Sequence, residues 1–462
     1  MQVRKVAAAA FVALTVFAAV ASSRTHAPRS VNGILMSDVH FDPLADKSLV
    51  PQLIQADLSQ WDKILQTAAP QGFSLYDADS NYALMTSAFA QAGSRASHGI
   101  MIYTGDLLRH DFSEAFENAG GAQAQYADFA TKTAAFTVQK MQQAAKVPVV
   151  IALGNNDSTE GDYVLTPNSP FLAALSKEIA VVANAQDAAV RKDFEYGGYY
   201  AIPNPTVRYQ YLVVLNTVFW STKYKAPAGL AEDPGDVELK WLEEKLSLAK
   251  AQAHQVSLVM HIPPGMDAFV SAKNKKPQLM WKEAYEDAFL ALIAQYRDTI
   301  TVSFAGHTHM DDFRVLTDAG ATPLFPIRVS PAVSPLFHNN PAFSVFTYRP
   351  DVGDIKDITT FFVPLSEKRP TWKREYKFAK TYGCATYNSA NLFSLAVKIR
   401  KDGKAFQNYQ KLYDVSSQPY PITATPLNWP YYSCAQTSFS ADAYAGCVAA
   451  NSRSAAVSGE KR

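Results

Sequence analysis

Gly33-Ile34-Leu35-Met36-Ser37-Asp38-Val39-His40 is the stretch on which the reading of the chain turns. An apolar run that closes on a small polar residue, then on Asp and His two apart, reads as a buried strand whose tip presents ligands. Alternation puts Asp38 and His40 on one side. A carboxylate beside an imidazole suits Zn, Mn or Fe better than Ca or Mg. Taken alone, the pair is explained equally well by a solvated turn.

Working outward, further segments repeat the pattern. The strand beginning at Gly99 ends in Gly105-Asp106, and the one beginning at Val149 ends in Gly154-Asn155-Asn156-Asp157. Val256 leads to His261, and Ile300 leads to Gly306-His307-Thr308-His309. Glycine or another small residue lets the backbone turn sharply, so that each side chain points at one shared cleft. Singly, Gly-Asp is a turn and His261 a core histidine. Two imidazoles straddling a turn at a strand end have little structural purpose, and the ordered set points to a metal centre. Four ligands per metal, with one carboxylate shared, would hold two cations roughly 3.5–4 Å apart. Asp106 is the natural bridge. Such a pair polarises a phosphoryl oxygen and acidifies a water for in-line attack.

The remaining pattern is that of an α/β layered core. Strands are expected at 33–37, 99–104, 147–153, 209–216, 256–261, 300–305, 327–330 and 343–349. Helical stripes fall at Tyr126, Phe129 and Phe136, at Leu239, Leu242, Leu246 and Ala249, and at Tyr285, Phe289, Leu292 and Tyr296; these are core faces. The connection 43–97 is long and predicts one or two helices of its own, one of them at Ser87–Gln91. After Pro364 strand signals stop, and 371–380, 389–400 and 404–413 read as helical, giving a small helical subdomain over 367–450. Residues 451–462 read as a disordered tail.

The first 21 residues have a basic start, Arg4-Lys5, an apolar stretch and an Ala19-Val20-Ala21 site, the layout of a secretory signal peptide. No later run approaches about 18 apolar residues, so no transmembrane segment is expected in the mature chain. At 462 residues and 48% hydrophobic content the chain can bury a large core. Its net charge of +1 becomes −1 without the two leader basics, which gives no sign of a nucleic-acid-binding surface. Of three cysteines, the near neighbours Cys434 and Cys447 are the better bridge in an oxidising compartment, leaving Cys384 free.

The order DxH, GD, GNxx, MH, GHTH resembles that of the calcineurin-like metallophosphoesterases. Ala78 to Leu84, Leu215-Asn216-Thr217, His261-Ile262-Pro263-Pro264-Gly265, Val329 to Pro335 and Asn340 to Val345 are similar to the acid sphingomyelinase-like phosphodiesterases within them. The resemblance spans roughly 33–364, with similarity in the C-terminal piece too. It implies a four-layer sandwich, two mixed β-sheets flanked by helices, with the catalytic domain at 30–366. It also implies two divalent metal ions, typically zinc, with Mn or Fe as alternatives. Asp38, His40, Asp106 and His309 would hold one; Asp106, Asn155, His261 and His307 would hold the other. His110, shortly after Gly-Asp, matches the family's contact to the substrate phosphate.

The chain departs from that pattern in three places. Asn156 stands where the family usually has a His that protonates or holds the leaving group, and an amide cannot deliver a proton. The Gly-Asn-Asn-Asp and Arg109-His110-Asp111 pattern is closer to the endopolyphosphatases, whose leaving group needs less acid help. No cysteine-rich saposin-like segment precedes Asp38, and Ala78 replaces a cysteine frequent in relatives. The implied activity is that of an exported, periplasmic or secreted, phosphodiesterase or phosphoanhydride hydrolase. Its substrate would be a phosphorylated small molecule, a nucleotide, polyphosphate or a phospholipid headgroup. A metal-dependent phosphate or headgroup binder without turnover is the non-enzymatic alternative. Arg109, Lys223 and Lys225 could add charge for an extended anion, or be ordinary surface basics.

Overall fold

The computed structural model describes residues 30–459 except 70, 97, 184–186, 319–321 and 418–427. The leader at 1–21 therefore lies outside the described residues. Two six-stranded sheets form the centre. The first contains β1 (Val31–Met36), β2 (His98–Tyr103), β3 (Val149–Ile151), β10 (Ala342–Tyr348), β11 (Ile355–Phe362) and β12 (Lys373–Lys377). The second contains β4 (Tyr200–Pro203), β5 (Gln210–Val214), β6 (Gln255–Val259), β7 (Ile300–Ala305), β8 (Asp312–Thr317) and β9 (Pro323–Val329). Their orders are 12-11-10-1-2-3 and 4-5-6-7-9-8.

Both sheets are mixed. β1 runs parallel to β2 and antiparallel to β10, with Leu35 opposite Ser344, and β6 runs parallel to β7. The sheets face each other through apolar side chains such as Phe304 and Phe346, whose rings are 5.2 Å apart. Helices 82–93 and 123–145 cover the first sheet, and helices 234–251 and 283–295 the second, which gives the expected four layers. Tyr126, Phe129 and Phe136 are buried on one face of helix 123–145, as are Leu242, Leu246 and Ala249 on helix 234–251. Among the described residues no helix is long and apolar enough to cross a membrane.

Residues 371–380 are not a helix: β12 pairs antiparallel with β11, and only Phe378–Tyr382 turn helical. Lys-Arg-Glu favours a helix locally, but an edge strand carrying lysines is protected against further pairing, and Tyr376 gains burial in the sheet. β4, β8 and β11 were not expected, and β9 starts four residues before the predicted strand. β11 alternates only weakly, with Thr and Asp among its apolar residues, and β8 buries Arg314 where the pattern asks for an apolar residue. The 43–97 segment holds three α-helices, not one or two. The last helix, Ala441–Gly459, runs through most of the segment read as a tail.

The C-terminal helices close on the second sheet. Helix 389–401 packs on β8 and β9, and Cys434 is disulfide-bonded to Cys447, with Cys384 free. Asp311, two residues past His309, joins this region to the core. Its carboxylate accepts two bonds from Arg328 of β9, 2.6 and 2.8 Å, and others from Thr360 of β11 (2.9 Å) and Tyr376 of β12 (2.8 Å).

Candidate metal centre

Five loops leaving the C-terminal ends of parallel strands β1, β2, β3, β6 and β7 meet in one cleft. Their backbones are joined before any side chain is considered. The Asp38 N–H donates to Gly105 O (2.9 Å), the His40 N–H to Asp106 O (3.0 Å), and the Gly306 N–H to His261 O (2.9 Å). The room between them is small. A Cβ on Gly154 would lie 2.0 Å from Asp106 Oδ1, and one on Gly306 would lie 2.0 Å from Ser37 Oγ. Asp38, His40, Asp106, His307 and His309 all have φ between 43° and 72°. Asp and His tolerate that left-handed region better than most residues, still at roughly 1–3 kcal/mol each. Such strain accumulates where function fixes a side chain.

All seven side chains proposed from sequence as ligands converge. Asp106 Oδ2 lies 3.4 Å from His40 Nε2 and 3.2 Å from His261 Nε2. On one side His309 Nε2 is 3.1 Å from His40 Nε2 and 3.5 Å from Asp38 Oδ1. On the other, His261 Nε2 is 3.1 Å from Asn155 Oδ1 and 3.2 Å from His307 Nδ1. Outer partners aim these atoms inward. His40 Nδ1 donates to Leu108 O (2.9 Å) and His261 Nδ1 to Thr104 O (2.6 Å), so each Nε2 turns a lone pair to the cleft. Asn155 Nδ2 donates to Asp162 Oδ1 (2.6 Å), which leaves its carbonyl oxygen facing His261.

The donor set fits divalent cations. Nitrogen faces nitrogen in two pairs, Asp38 Oδ1 is buried without a hydrogen-bond partner, and Asp38, Asp106 and His261 are almost wholly buried. Burial pulls His40 and His261 down, but the Asp106 and Asp38 carboxylates outweigh it and hold them up at about 10 and about 9. Burial and the neighbouring imidazoles push His307 and His309 well below the usual range. The same pocket thus draws positive charge and refuses to take it as four protons, a conflict that metal ions remove. His40, His110 and His309 form one group able to share an ion, as do Asp106, His261 and His307, and Asp38, His40 and Asp106.

His110 lies over this centre, its ring stacked on His40 at 3.9 Å, with Nδ1 3.1 Å from Asp79 Oδ1. Burial works against the Asp79 carboxylate, yet His110 and His40 hold it down at about 2. Asn156 faces inward as well: its N–H donates to Asp106 Oδ1 (2.8 Å) and its amide to Asp106 Oδ2 (3.1 Å). The basic residues stand further off. Arg109 is 3.6 Å from Asp42, Lys225 bonds the Asp162 carbonyl, and Lys223 lies over the Tyr163 ring.

Sequence reasoning missed the supporting residues. The Asp157 carboxylate accepts from the N–H groups of Asp106, Leu107, Leu108 and Gly154 at 2.7 to 3.2 Å, and so clamps two ligand loops together. Its place in Gly-Asn-Asn-Asp was a usable sign. Asp162, six residues past Asn156, had none.

Residues 34–311 match the family model described as calcineurin-like phosphoesterase, and 323–454 match the acid sphingomyelin phosphodiesterase C-terminal region. Acid sphingomyelinase-like phosphodiesterase 3b from Homo sapiens is 26% identical over 436 residues, 90% of each chain. Cyclic GMP-AMP phosphodiesterase SMPDL3A from Homo sapiens is 26% identical over 399 residues, 80% of each. A dimetal phosphatase from Danio rerio superposes with a TM-score of 0.42 at 12% identity, over 77% of this chain and 99% of that one. With its family model covering more than half of its length, the chain belongs to the calcineurin-like phosphoesterases and carries the C-terminal region of the acid sphingomyelin phosphodiesterases.

Proposed function

We propose that this metallophosphoesterase is an exported two-metal hydrolase of phosphodiester or phosphoanhydride bonds. Nucleotide or polyphosphate-like substrates are favoured over membrane sphingomyelin. The observation that carries the reading is the placing of the Asp106 carboxylate between two imidazole groups, each completed by its own outer donors. Asp38, His40, Asp106 and His309 are assigned to one ion; Asp106, Asn155, His261 and His307 are assigned to the other. Zinc suits four imidazoles, two carboxylates and an amide oxygen, and manganese or iron could substitute. Bound there, such ions supply Lewis acidity to a phosphoryl oxygen and make water acidic enough to attack near neutral pH.

The chain's own groups do the rest. The two donors from Asn156 fix the orientation of Asp106. Asp79 engages His110 Nδ1, which leaves Nε2 for the phosphate or the leaving oxygen. Because the Asn156 amide cannot deliver a proton, protonation of an alkoxide falls to His110 or solvent. A phosphate leaving group needs less of that help, which supports anhydrides and nucleotides. A nucleotide substrate is also in keeping with the similarity to the cyclic GMP-AMP phosphodiesterase from Homo sapiens. Export is supported by the leader pattern and by the Cys434–Cys447 disulfide.

The test is hydrolysis of an aryl phosphodiester by the purified chain loaded with zinc or manganese. Asp106→Ala is expected to abolish turnover, and full activity in that variant would refute the assignment. His110→Ala should slow esters with alkoxide leaving groups more than anhydrides. Equal losses would remove His110 from the proton path.

A further inference from the structure

The mouth of the centre carries an exposed aromatic ring that plays no part in holding ions. Phe337 sits at the tip of the turn 335–338, 46% exposed. Its ring stands edge-to-face with His309 (centroids 4.6 Å, 73°) and with His110 (5.6 Å, 83°). A large apolar ring left in water against a polar cleft is a surface that gains by being covered. The turn beneath it is braced. Ser334 Oγ donates to Asp79, the same carboxylate that holds His110, while the Asp77 and His338 N–H groups both donate to Pro335 O. The ring is therefore in place before a ligand arrives, so little conformational entropy is lost on contact. The other flank differs in character: Tyr163 Oη lies 3.4 Å from His307 Nε2, and Lys223 Nζ lies 5.2 Å from the Tyr163 ring centroid.

We infer that Phe337 sets the specificity of the centre by stacking a planar ring carried by the substrate. Ring-bearing phosphoesters and phosphoanhydrides of nucleoside or aryl type are then selected over bare phosphate chains. An inorganic polyphosphate gives Phe337 nothing to cover. A nucleoside or aryl group with its phosphoryl over the Asp106 carboxylate can cover the exposed ring with one of its own faces. The inference rests on the phosphoesterase reading and deepens it by naming the substrate class.

The test uses the full-length zinc-loaded protein with ATP and inorganic tripolyphosphate, which present the same bond with and without a nucleoside. Phe337→Ala should raise KM for ATP about tenfold with kcat within about twofold, and leave both constants for tripolyphosphate unchanged. Phe337→Trp should keep the ATP KM. Because the ring sits on an exposed turn tip, its loss leaves the fold intact. A readout without turnover is the fluorescence of an aminopurine nucleoside monophosphate, which stacking quenches. The wild type and Phe337→Trp should quench it, and Phe337→Ala should not. Equal changes toward both substrates, no change toward either, or quenching retained in Phe337→Ala would overturn the inference, as would a loss confined to sphingomyelin in vesicles. A wild type that hydrolyses no phosphoester counts against the phosphoesterase reading instead, and the fluorescence comparison still decides the ring contact.

Discussion

Replacing Gly154 by Ala isolates the role of backbone proximity at Asp106, the carboxylate proposed to bridge the ions. A Cβ there would meet Asp106 Oδ1 at 2.0 Å and the Asp106 backbone nitrogen at 2.4 Å. Ordinary contact begins about 1.4 Å further out, and the backbone atom cannot swing aside as a side-chain end can. Asp106 must therefore move with its loop, against the clamp that Asp157 places on both loops. A displacement of about 1 Å at a reacting centre costs about 100-fold, so kcat/KM for an aryl phosphodiester should fall by at least that much. Overpacking of this kind also costs ~1–3 kcal/mol of stability, visible as a lower midpoint in urea. Gly72→Ala, with nothing within 4 Å of the added carbon, is the matched control. If Gly154→Ala kept the wild-type kcat/KM and metal content, the bridging geometry assigned to Asp106 would be wrong.

Further outcomes are expected at positions remote from one another. Asp162→Ala frees the Asn155 amide to rotate and should weaken metal retention by about 10- to 100-fold in chelator competition, with little change in melting temperature. An unchanged affinity would mean Asn155 is oriented by something else. Burial pushes Glu238 and Glu286 from the usual 4.5 to about 8, so the folded chain binds more protons than the unfolded one between those values. Stability should accordingly fall as pH rises from about 4.5 to 8, and the Glu238→Gln, Glu286→Gln double variant should flatten that slope in denaturant titrations of metal-loaded protein; a slope left intact excludes these two acids as its source. Opening the Cys434–Cys447 bridge, which spans 13 residues, by Cys434→Ser with Cys447→Ser should cost ~2–3 kcal/mol by urea unfolding, and a loss below about 0.5 kcal/mol would show the helix pair to be held by packing alone.

Much of the centre was readable because each inward-facing residue closes an apolar strand, in most cases after a small residue, a pattern set by local chemistry. Asp38, Asp106, His261 and the His307/His309 pair all sit where such a strand must stop. The alternating and helical periods of the core were readable for the same reason, as Phe129 and Leu246 illustrate. What escaped depends on partners far along the chain. Phe337 reaches His309 only because the 331–340 loop crosses over the ends of β1 and β7. Asp162 acquires its purpose from the amide of Asn155. β12 is a strand because β11 lies beside it, against the helical preference of Lys373, Arg374 and Glu375. Arg314 and Arg328 are almost fully buried, which hydrophobic patterning cannot anticipate, and the terminal guanidinium nitrogens of both bond groups brought from other elements.

The Asp311 knot carries a consequence for how the two matched regions can be inherited. The carboxylate that terminates the first region finds its counter-charge on Arg328 and its hydroxyl donors on Thr360 and Tyr376, all within the second. Severing the chain between them would strand a buried anion two residues from His309, at ~3–5 kcal/mol for the lost partner. Neither half is a tradable module: the later segment serves as a foundation under the earlier one. Limited digestion that strips β11 and β12 should take the bound metal with it.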